Sequence, residues 1–152
     1  MIAVCGSAAE NARLNALAEE VGRRIALAGV TLVCGGRGGV MTAACRGAMQ
    51  AGGLTVGILP GDEPRAANPF VQVAIATGAG HARNVMIVQS AAAVIAIGGE
   101  YGTLSEIAIA RKCGRRVIGL ESWELGNEAD GIPRILPAHT PAEAVALALQ
   151  HT

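Results

Sequence analysis

AVIAIGGEYGTLSE, residues 93–106, is the stretch of this sequence that decides the fold. It begins with an unbroken apolar run, Ala93 to Ile97, passes through glycines at positions 98, 99 and 102, and takes on helical spacing over residues 103–113. An apolar run without alternation predicts a strand that is buried on both faces. A glycine-rich turn between such a strand and a helix is typical of α/β proteins with a parallel sheet.

Runs of the same kind recur along the chain and alternate with stretches of helical spacing. Further strands, also buried on both faces, are predicted at residues 2–4, 30–34, 54–59, 71–76 and 117–120. Helices are predicted around residues 14–25 and at residues 39–51, 82–91 and 141–150, the last with Thr140 as its N-cap, and longer loops at residues 61–69 and 122–137. This alternation predicts an open, doubly wound α/β fold, a parallel sheet with helices on both faces. Ligands of such folds bind at the carboxyl ends of the strands, near the switch point.

Composition excludes several classes of function. The 152 residues suit one domain, residues 1–152, and the 12 Lys+Arg balance the 12 Asp+Glu to a formal net charge of +0. Without a positive excess, binding to the phosphate backbone of a nucleic acid is not expected. Aromatic residues make up only 2% of the chain, which also excludes the stacking platforms of single-strand-binding modules.

The cysteines and the apolar runs favour a cytoplasmic protein. Cys5, Cys34, Cys45 and Cys113 form no CxxC pair and lie in apolar runs, which predicts small buried thiols rather than a metal site or a disulfide framework. The first residues are strand-like and lack the basic region of a signal peptide. The longest apolar run, residues 91–97, is far shorter than the roughly 20 residues that a membrane helix needs. No metal and no membrane contact are expected.

Glycine clusters follow three of the predicted strands, at residues 35–39, 78–80 and 98–102. Backbone N–H groups at such turns can point at an anion on the positive end of the next helix, so three turns predict a phosphate site. The alternative is that glycine merely serves tight turns. Neither the dinucleotide-binding fingerprint nor the P-loop motif occurs, so no nucleotide cofactor is expected. The first cluster comprises Gly35, Gly36, Arg37, Gly38 and Gly39.

Three side chains near these turns have both a structural and a functional interpretation. Thr103 and Glu106 match a capping box, but Glu106 could instead be a carboxylate beside a phosphate pocket that contacts a sugar or orients water. Arg83 stands at a helix start, where its charge opposes the helix dipole. It either bonds to a phosphate or a carboxylate, or is an ordinary solvated arginine. Arg37 either closes an anion pocket or projects into water.

Several of these segments together resemble a known family. Residues 98–106, GGEYGTLSE, look like the PGGxGTxxE motif of the LOG (Lonely Guy) proteins, which are often misnamed lysine decarboxylases. Arg83 lies at the spacing of that family's functional arginine, residues 35–41 resemble its first glycine loop, and residues 4–7 resemble its opening strand and turn. The resemblance spans most of residues 1–120.

The resemblance implies a fold, an activity and a set of site residues. LOG proteins have a Rossmann-like fold, form dimers or larger assemblies, and hydrolyse the N-glycosidic bond of cytokinin nucleoside 5′-monophosphates or AMP to a free base and ribose 5-phosphate. In that frame Arg83 and Glu106 are the catalytic pair, and Gly99, Gly102 and Thr103 hold the phosphate. A homodimer or homotetramer is expected, which the alanine-rich helices with few charges also favour.

The sequence departs from the family motif at several positions. Gly98 replaces the motif's proline, Glu100 its second glycine and Asn84 the lysine after the arginine, while residues 91–92 are alanines in place of an SD pair. These changes resemble a shorter bacterial branch of the superfamily, which is also similar to proteins that carry the molybdenum cofactor, a phosphate-bearing pterin, without turning it over. The leading expectation is hydrolysis of a nucleoside 5′-monophosphate bound at the glycine turns. The alternative is a carrier or sensor of a phosphorylated ligand.

Overall fold

The structure, a computed structural model, describes residues 1–126 and 135–150 and contains one parallel sheet with helices on both sides. The strands are β1 Ile2–Gly6, β2 Leu32–Cys34, β3 Thr55–Leu59, β4 Val73–Ala76, β5 Ala93–Ile97, β6 Arg116–Leu120 and β7 Leu136–Ala138. The α-helices are α1 Ala12–Leu27, α2 Val40–Gln50, α3 Arg83–Ser90, α4 Tyr101–Lys112 and α5 Pro141–Leu149. None of the helices in these described ranges is long and apolar enough to cross a bilayer.

The strand order places a switch point at the centre of the sheet. The order is β4-β3-β2-β1-β5-β6-β7, and every neighbouring pair is parallel. From β1 the chain builds outward to β2, β3 and β4 on one side, and then crosses to β5, β6 and β7 on the other. The predicted Rossmann-like, doubly wound fold is therefore confirmed. Its ligand crevice is expected where β1 and β5 end side by side.

Alternation along the central strands divides the core between the two faces of the sheet. In β5, Ile95 and Ile97 pack in the cluster formed with α1, α2 and α5, whereas Val94 and Ala96 pack with α3 and α4. All five residues of β5 are buried, which explains why its sequence shows no polar alternation.

Two predictions about the edges of the sheet are wrong. β4 is not buried on both faces, because it is the last strand on its side, and Val73 and Ile75 remain 43% and 45% exposed. β7 begins inside the loop predicted at residues 122–137 and continues one residue beyond it. Its middle residue, Pro137, has no N–H to donate, and an edge strand tolerates this because only one side of it is paired.

Candidate phosphate-binding site

The loops that follow β1 and β2 pack against each other at the carboxyl edge of the sheet. The amide of Val40, the first residue of α2, donates to the Ser7 carbonyl oxygen at 3.0 Å and ties the two loops together. Side chains are excluded here: a Cβ atom at Gly38 would lie 2.8 Å from the Ala8 carbonyl oxygen, and one at Gly39 would collide with the Ser7 carbonyl oxygen. Gly39 also has a φ of 56°, which favours glycine. Close packing therefore requires both glycines.

The two helices that start at this edge differ in how their first amides are used. In α2 the amides of the first two residues already donate to the carbonyl oxygens of Ser7 and Gly38. In α4 the N-cap Glu100 makes no side-chain capping bond, and the described part of the chain offers no acceptor to the next three amides. Unpaired amides at the positive end of a helix are ready donors to a phosphate. We call these donors the first-turn amides of α4: Tyr101, Gly102 and Thr103.

The predicted phosphate-binding residues around α4 have different structural roles. Thr103 is buried, and a Cβ atom at Gly99 would lie 2.7 Å from the Thr103 Cβ atom, so Gly99 is needed for packing. The φ of Gly99 is 130°, which also favours glycine. Gly102 is exposed, and no atom of the described chain lies within 4 Å of the point where its Cβ would be. The open space above the first turn of α4 therefore lies over Gly102.

Arg83 begins α3 and folds back over the glycine loop that follows β2. Its Nη1 atom donates to the Ile58 carbonyl oxygen at 3.1 Å, and a Cβ atom at Gly35 would collide with the guanidinium group. Burial lowers the pKa of Arg83, while the nearby Glu106 carboxylate acts in the opposite direction. The alternative of an ordinary solvated arginine is thus wrong. Gly35 leaves room for a half-buried cation.

Glu106 lies on α4 and faces the interior of the site. The capping-box interpretation is wrong, because α4 begins at Tyr101 and Thr103 is already inside its first turn. Glu106 is 8% exposed, and among the described residues no group donates a hydrogen bond to its carboxylate. Burial raises the pKa of Glu106 from 4.5 to about 7, and the charge of Arg83 opposes this shift. A buried carboxyl group without a partner is costly, which points to a role outside the fold.

Arg83 and Glu106, the expected catalytic pair, are brought near each other but not into contact. Each charge influences the pKa of the other group, yet in the described ranges the two side chains do not form an ion pair. Arg83 remains bonded to Ile58 instead. The site therefore holds an arginine and a carboxyl group on the side of β1 that faces β2 and β3.

Arg37 is exposed at the outer end of the same loop. A cavity of about 230 Å³ is lined by Arg37, Gly38, Ala66 and Asn68. The backbone there is anchored, because the Arg37 carbonyl oxygen accepts from the Asn68 side-chain amide at 3.0 Å and from a threonine hydroxyl of α2 at 2.9 Å. Arg37 thus projects outward and borders a cavity, and the closing of an anion pocket by Arg37 stays a prediction.

The glycine cluster at residues 78–80 is not brought together with the other two clusters. Gly78 and Gly80 follow β4, which is separated from β1 by β3 and β2. Both glycines have positive φ values, 62° and 55°, and no protein atom lies close to either missing Cβ. This cluster serves as the turn that leads into Arg83 rather than as a wall of the phosphate site.

Two contacts in the site were not predicted from the sequence. Ser7 Oγ donates to Glu100 Oε1 at 3.1 Å, which holds a carboxylate beside the first-turn amides of α4. Under the glycine loop, the Sγ atoms of Cys34 and Cys45 lie 3.5 Å apart, and the Gly36 amide donates to Cys34 Sγ at 3.3 Å. The hydrogen bond between the two thiols lowers the pKa of Cys34 and raises that of Cys45. Spacing along the sequence gives no signal for either contact.

A family model described as the SLOG cluster4 family matches residues 1–145. The chain belongs to the SLOG cluster4 family. An uncharacterised protein of Archaeoglobus fulgidus is 52% identical to it over 105 residues, which are 69% of each chain. The resemblance to the LOG-like superfamily that the motifs indicated is thereby confirmed.

Two solved structures resemble this SLOG cluster4 protein over almost its whole length. The molybdenum cofactor binding protein of the phototrophic bacterium Rippkaea orientalis is 38% identical, with a TM-score of 0.88 over 96% of this chain and 93% of that chain. The molybdenum cofactor carrier protein of Chlamydomonas reinhardtii is 33% identical, with a TM-score of 0.85 over 98% of this chain and 95% of that one. The predicted similarity to molybdenum cofactor carriers is likewise confirmed.

Proposed function

We propose that this SLOG cluster4 protein binds a small phosphorylated ligand and carries it unchanged, and that the ligand is the molybdenum cofactor or a similar phosphate-bearing heterocycle. The proposal rests mainly on the first-turn amides of α4, which have no hydrogen-bond acceptor in the described part of the chain and have open space above them at Gly102. The similarity to a binding protein and to a carrier protein of the molybdenum cofactor supports the choice of ligand.

The chemistry of the site accounts for recognition of a phosphate. The phosphate oxygens would accept hydrogen bonds from the first-turn amides of α4, and their negative charge would be stabilised by the positive end of the helix dipole. The Glu100 carboxylate, which is hydrogen-bonded to Ser7, would repel the negatively charged phosphate. The phosphate would therefore lie nearer to Gly102 than to Glu100. A ligand without the phosphate loses both contributions.

A second candidate function, hydrolysis of a nucleoside 5′-monophosphate, is favoured by Glu106. A carboxyl group whose pKa is raised to about 7 is suited to proton transfer at neutral pH. In that reaction the N-glycosidic bond breaks, water adds to the sugar carbon and gives one proton to the ionised Glu106 carboxylate, and Glu106 passes that proton to the departing base. Arg83 would orient the carboxylate or the departing group. The carrier function is preferred because the described site offers one such acid and because Glu100 stands where the hydrolase motif has glycine.

Matched pairs of ligands test the proposal and separate the two functions. We expect ribose 5-phosphate and GMP to raise the thermal unfolding temperature, and ribose and guanosine to do much less, since bound phosphate stabilises the fold by about 2.7 kcal/mol at 100 times its dissociation constant. Guanine release is followed by chromatography in the same samples. Equal shifts with and without phosphate would contradict the phosphate site, and steady release of base would replace the carrier by the hydrolase.

We also propose that the protein assembles into a homodimer or a multiple of it. Apolar side chains on β4 and α3 are 38–45% exposed, and an interface between subunits would remove them from water. Light scattering at micromolar concentration would measure the mass directly. The side chains concerned are Val73, Ile75, Val85 and Met86.

A further inference from the structure

A larger cavity lies at the carboxyl ends of β6 and β7, away from the Arg83 and Glu106 side chains. Its volume is about 750 Å³, within the range of about 300–1,000 Å³ that small-molecule sites occupy. The described residues that line it come from 119–126 and from 135–139, and none of them belongs to the glycine loop after β2. The proposed phosphate site leaves this cavity without a role.

The cavity adjoins the start of α4. The Gly98 amide donates to the Leu120 carbonyl oxygen at 3.1 Å, so the loop that leads into α4 is fixed to the end of β6. The ring of Tyr101, the first residue of α4, lies with its centroid 6.4 Å from that of Trp123, which lines the cavity. One small ligand can therefore reach from the first-turn amides of α4 to this cavity.

Aromatic side chains are concentrated at this junction. The chain has one Trp, one Tyr and one Phe, and the Trp and the Tyr meet here. Tyr101 is 83% exposed, so packing of the core does not explain its position. Flat heterocycles gain free energy by stacking on indole and phenol rings. The pair Tyr101 and Trp123 is thus suited to a planar ring.

The wall of the cavity also contains groups that serve the fold poorly. Glu121 has a φ of 52°, the one positive value at a non-glycine position among the described residues, and its carboxylate accepts from Arg13 Nη2 at 2.7 Å. Ser122 Oγ and Trp123 Nε1 are buried and have no hydrogen-bond partner within residues 1–126 and 135–150. Strained backbone and unpaired polar groups are found at ligand sites more often than elsewhere.

We propose that this cavity is the subsite for the planar, nitrogen-containing ring of the ligand, a pterin or a purine, which lies against Trp123 and Tyr101 while the phosphate occupies the first-turn amides of α4. This inference rests on the proposed function. Arg83 contacts the ends of β2 and β3, whereas the cavity lies beyond β6, on the other side of β1 and β5. The ring is therefore held away from Arg83 and Glu106, which suits binding without cleavage.

Trp123 is the single tryptophan of the chain, so its fluorescence reports directly on the proposed subsite. GMP is a suitable probe, because guanine shares the amino-pyrimidinone edge of a pterin. We expect saturable quenching by GMP, after correction for absorbance with free tryptophan. Ribose 5-phosphate should raise the unfolding temperature without changing the emission.

Variants separate a ring subsite from a structural role. Tyr101→Leu, at an exposed position, and Trp123→Leu should each weaken GMP binding about tenfold or more. Trp123→Leu, which lies outside the first-turn amides of α4, should also leave the affinity for ribose 5-phosphate within about twofold. Phe70→Leu is the matched control, since it removes the third aromatic ring outside the cavity, and GMP affinity should be retained.

Two outcomes would overturn the inference in distinguishable ways. If GMP binds in a phosphate-dependent manner but neither quenches Trp123 nor responds to the two Leu variants, the ring subsite is wrong and the phosphate site stands. If neither GMP nor ribose 5-phosphate binds at all, the proposed function fails and this inference fails with it.

Discussion

Gly35→Ala tests the position of Arg83, from which the arrangement of the site follows. The added Cβ would meet the Arg83 guanidinium, and the three nearest atoms all belong to that side chain. Gly35 does not have a positive φ, so alanine brings no backbone strain of its own. Arg83 must therefore move and give up its hydrogen bond to Ile58.

The expected cost follows from that lost bond. A hydrogen bond made by a charged group contributes about 1.5–3 kcal/mol, and this loss corresponds to a fall in Tm of roughly 3–12 °C for a chain of this size. Urea unfolding of wild type, Gly35→Ala, Arg83→Ala and the double variant gives the coupling energy. Once Arg83 is truncated, Gly35→Ala should cost no more than about 0.5 kcal/mol.

The control for this cycle is Gly61→Ala. Gly61 likewise has no positive φ, and no atom of the described residues lies within 4 Å of its missing Cβ, so alanine there should be neutral or slightly stabilising. If Gly35→Ala destabilised the wild type and the Arg83→Ala variant equally, the guanidinium would not lie over Gly35, and the described geometry of the site would be refuted.

Three further predictions concern charge and access at the site. Because burial raises the pKa of Glu106 to about 7, the folded protein keeps a proton on this carboxyl group that the unfolded chain has already lost. The free energy of unfolding of the wild type should therefore fall by roughly 3 kcal/mol relative to that of Glu106→Gln as the pH rises from about 4.5 to 7. Urea unfolding across this range measures the difference, and a constant difference contradicts the burial of a titrating carboxyl group. Glu100→Gln should tighten the binding of ribose 5-phosphate a few-fold, and the effect should be larger at low salt, as calorimetry would measure. Glu63→Gln, on another exposed loop, should leave this affinity unchanged. Equal effects of the two variants would place the phosphate elsewhere. Gly102→Val fills the open space above α4 and should weaken the binding of ribose 5-phosphate at least about tenfold without lowering Tm. The control Ala108→Val, on the exposed face of α4, should bind this ligand normally. If Gly102→Val still bound the ligand, the phosphate would not lie at this helix.

The fold could be predicted from the sequence where burial is complete. The bounds of β5, Ala93–Ile97, agree at both ends, because a strand in the middle of a parallel sheet is apolar throughout. The start of α5 agrees as well, since Thr140 Oγ1 accepts from the Glu143 amide at 3.1 Å and Pro141 fixes the first turn. Both signals are local, so neither needs the rest of the structure.

The edges of the sheet could not be predicted in the same way. Val73 and Ile75 are apolar like buried strand residues, and their exposure depends only on the absence of a further strand beside β4. β7 is short and contains Pro137, which is a turn signal when it is considered alone. Position within the sheet is a property of the whole chain and leaves little trace in a short window.

At the site, the sequence predicted which residues are important and not how they are held. Thr103 and Glu106 fit a capping box and a buried carboxylate equally well, and the start of α4 two residues earlier decides between them. The contact of Arg83 with Gly35 and that of Ser7 with Glu100 join distant parts of the chain. Such contacts arise only when the loops converge at the carboxyl edge of the sheet.

The most direct test of the account is to incubate the protein with the molybdenum cofactor, separate bound from free ligand by gel filtration, and analyse the bound fraction. We expect the cofactor to co-elute with the protein, to be recovered chemically intact, and to be lost from Gly102→Val but not from Ala108→Val. Absence of co-elution, or equal retention by both variants, would contradict binding at the first-turn amides of α4.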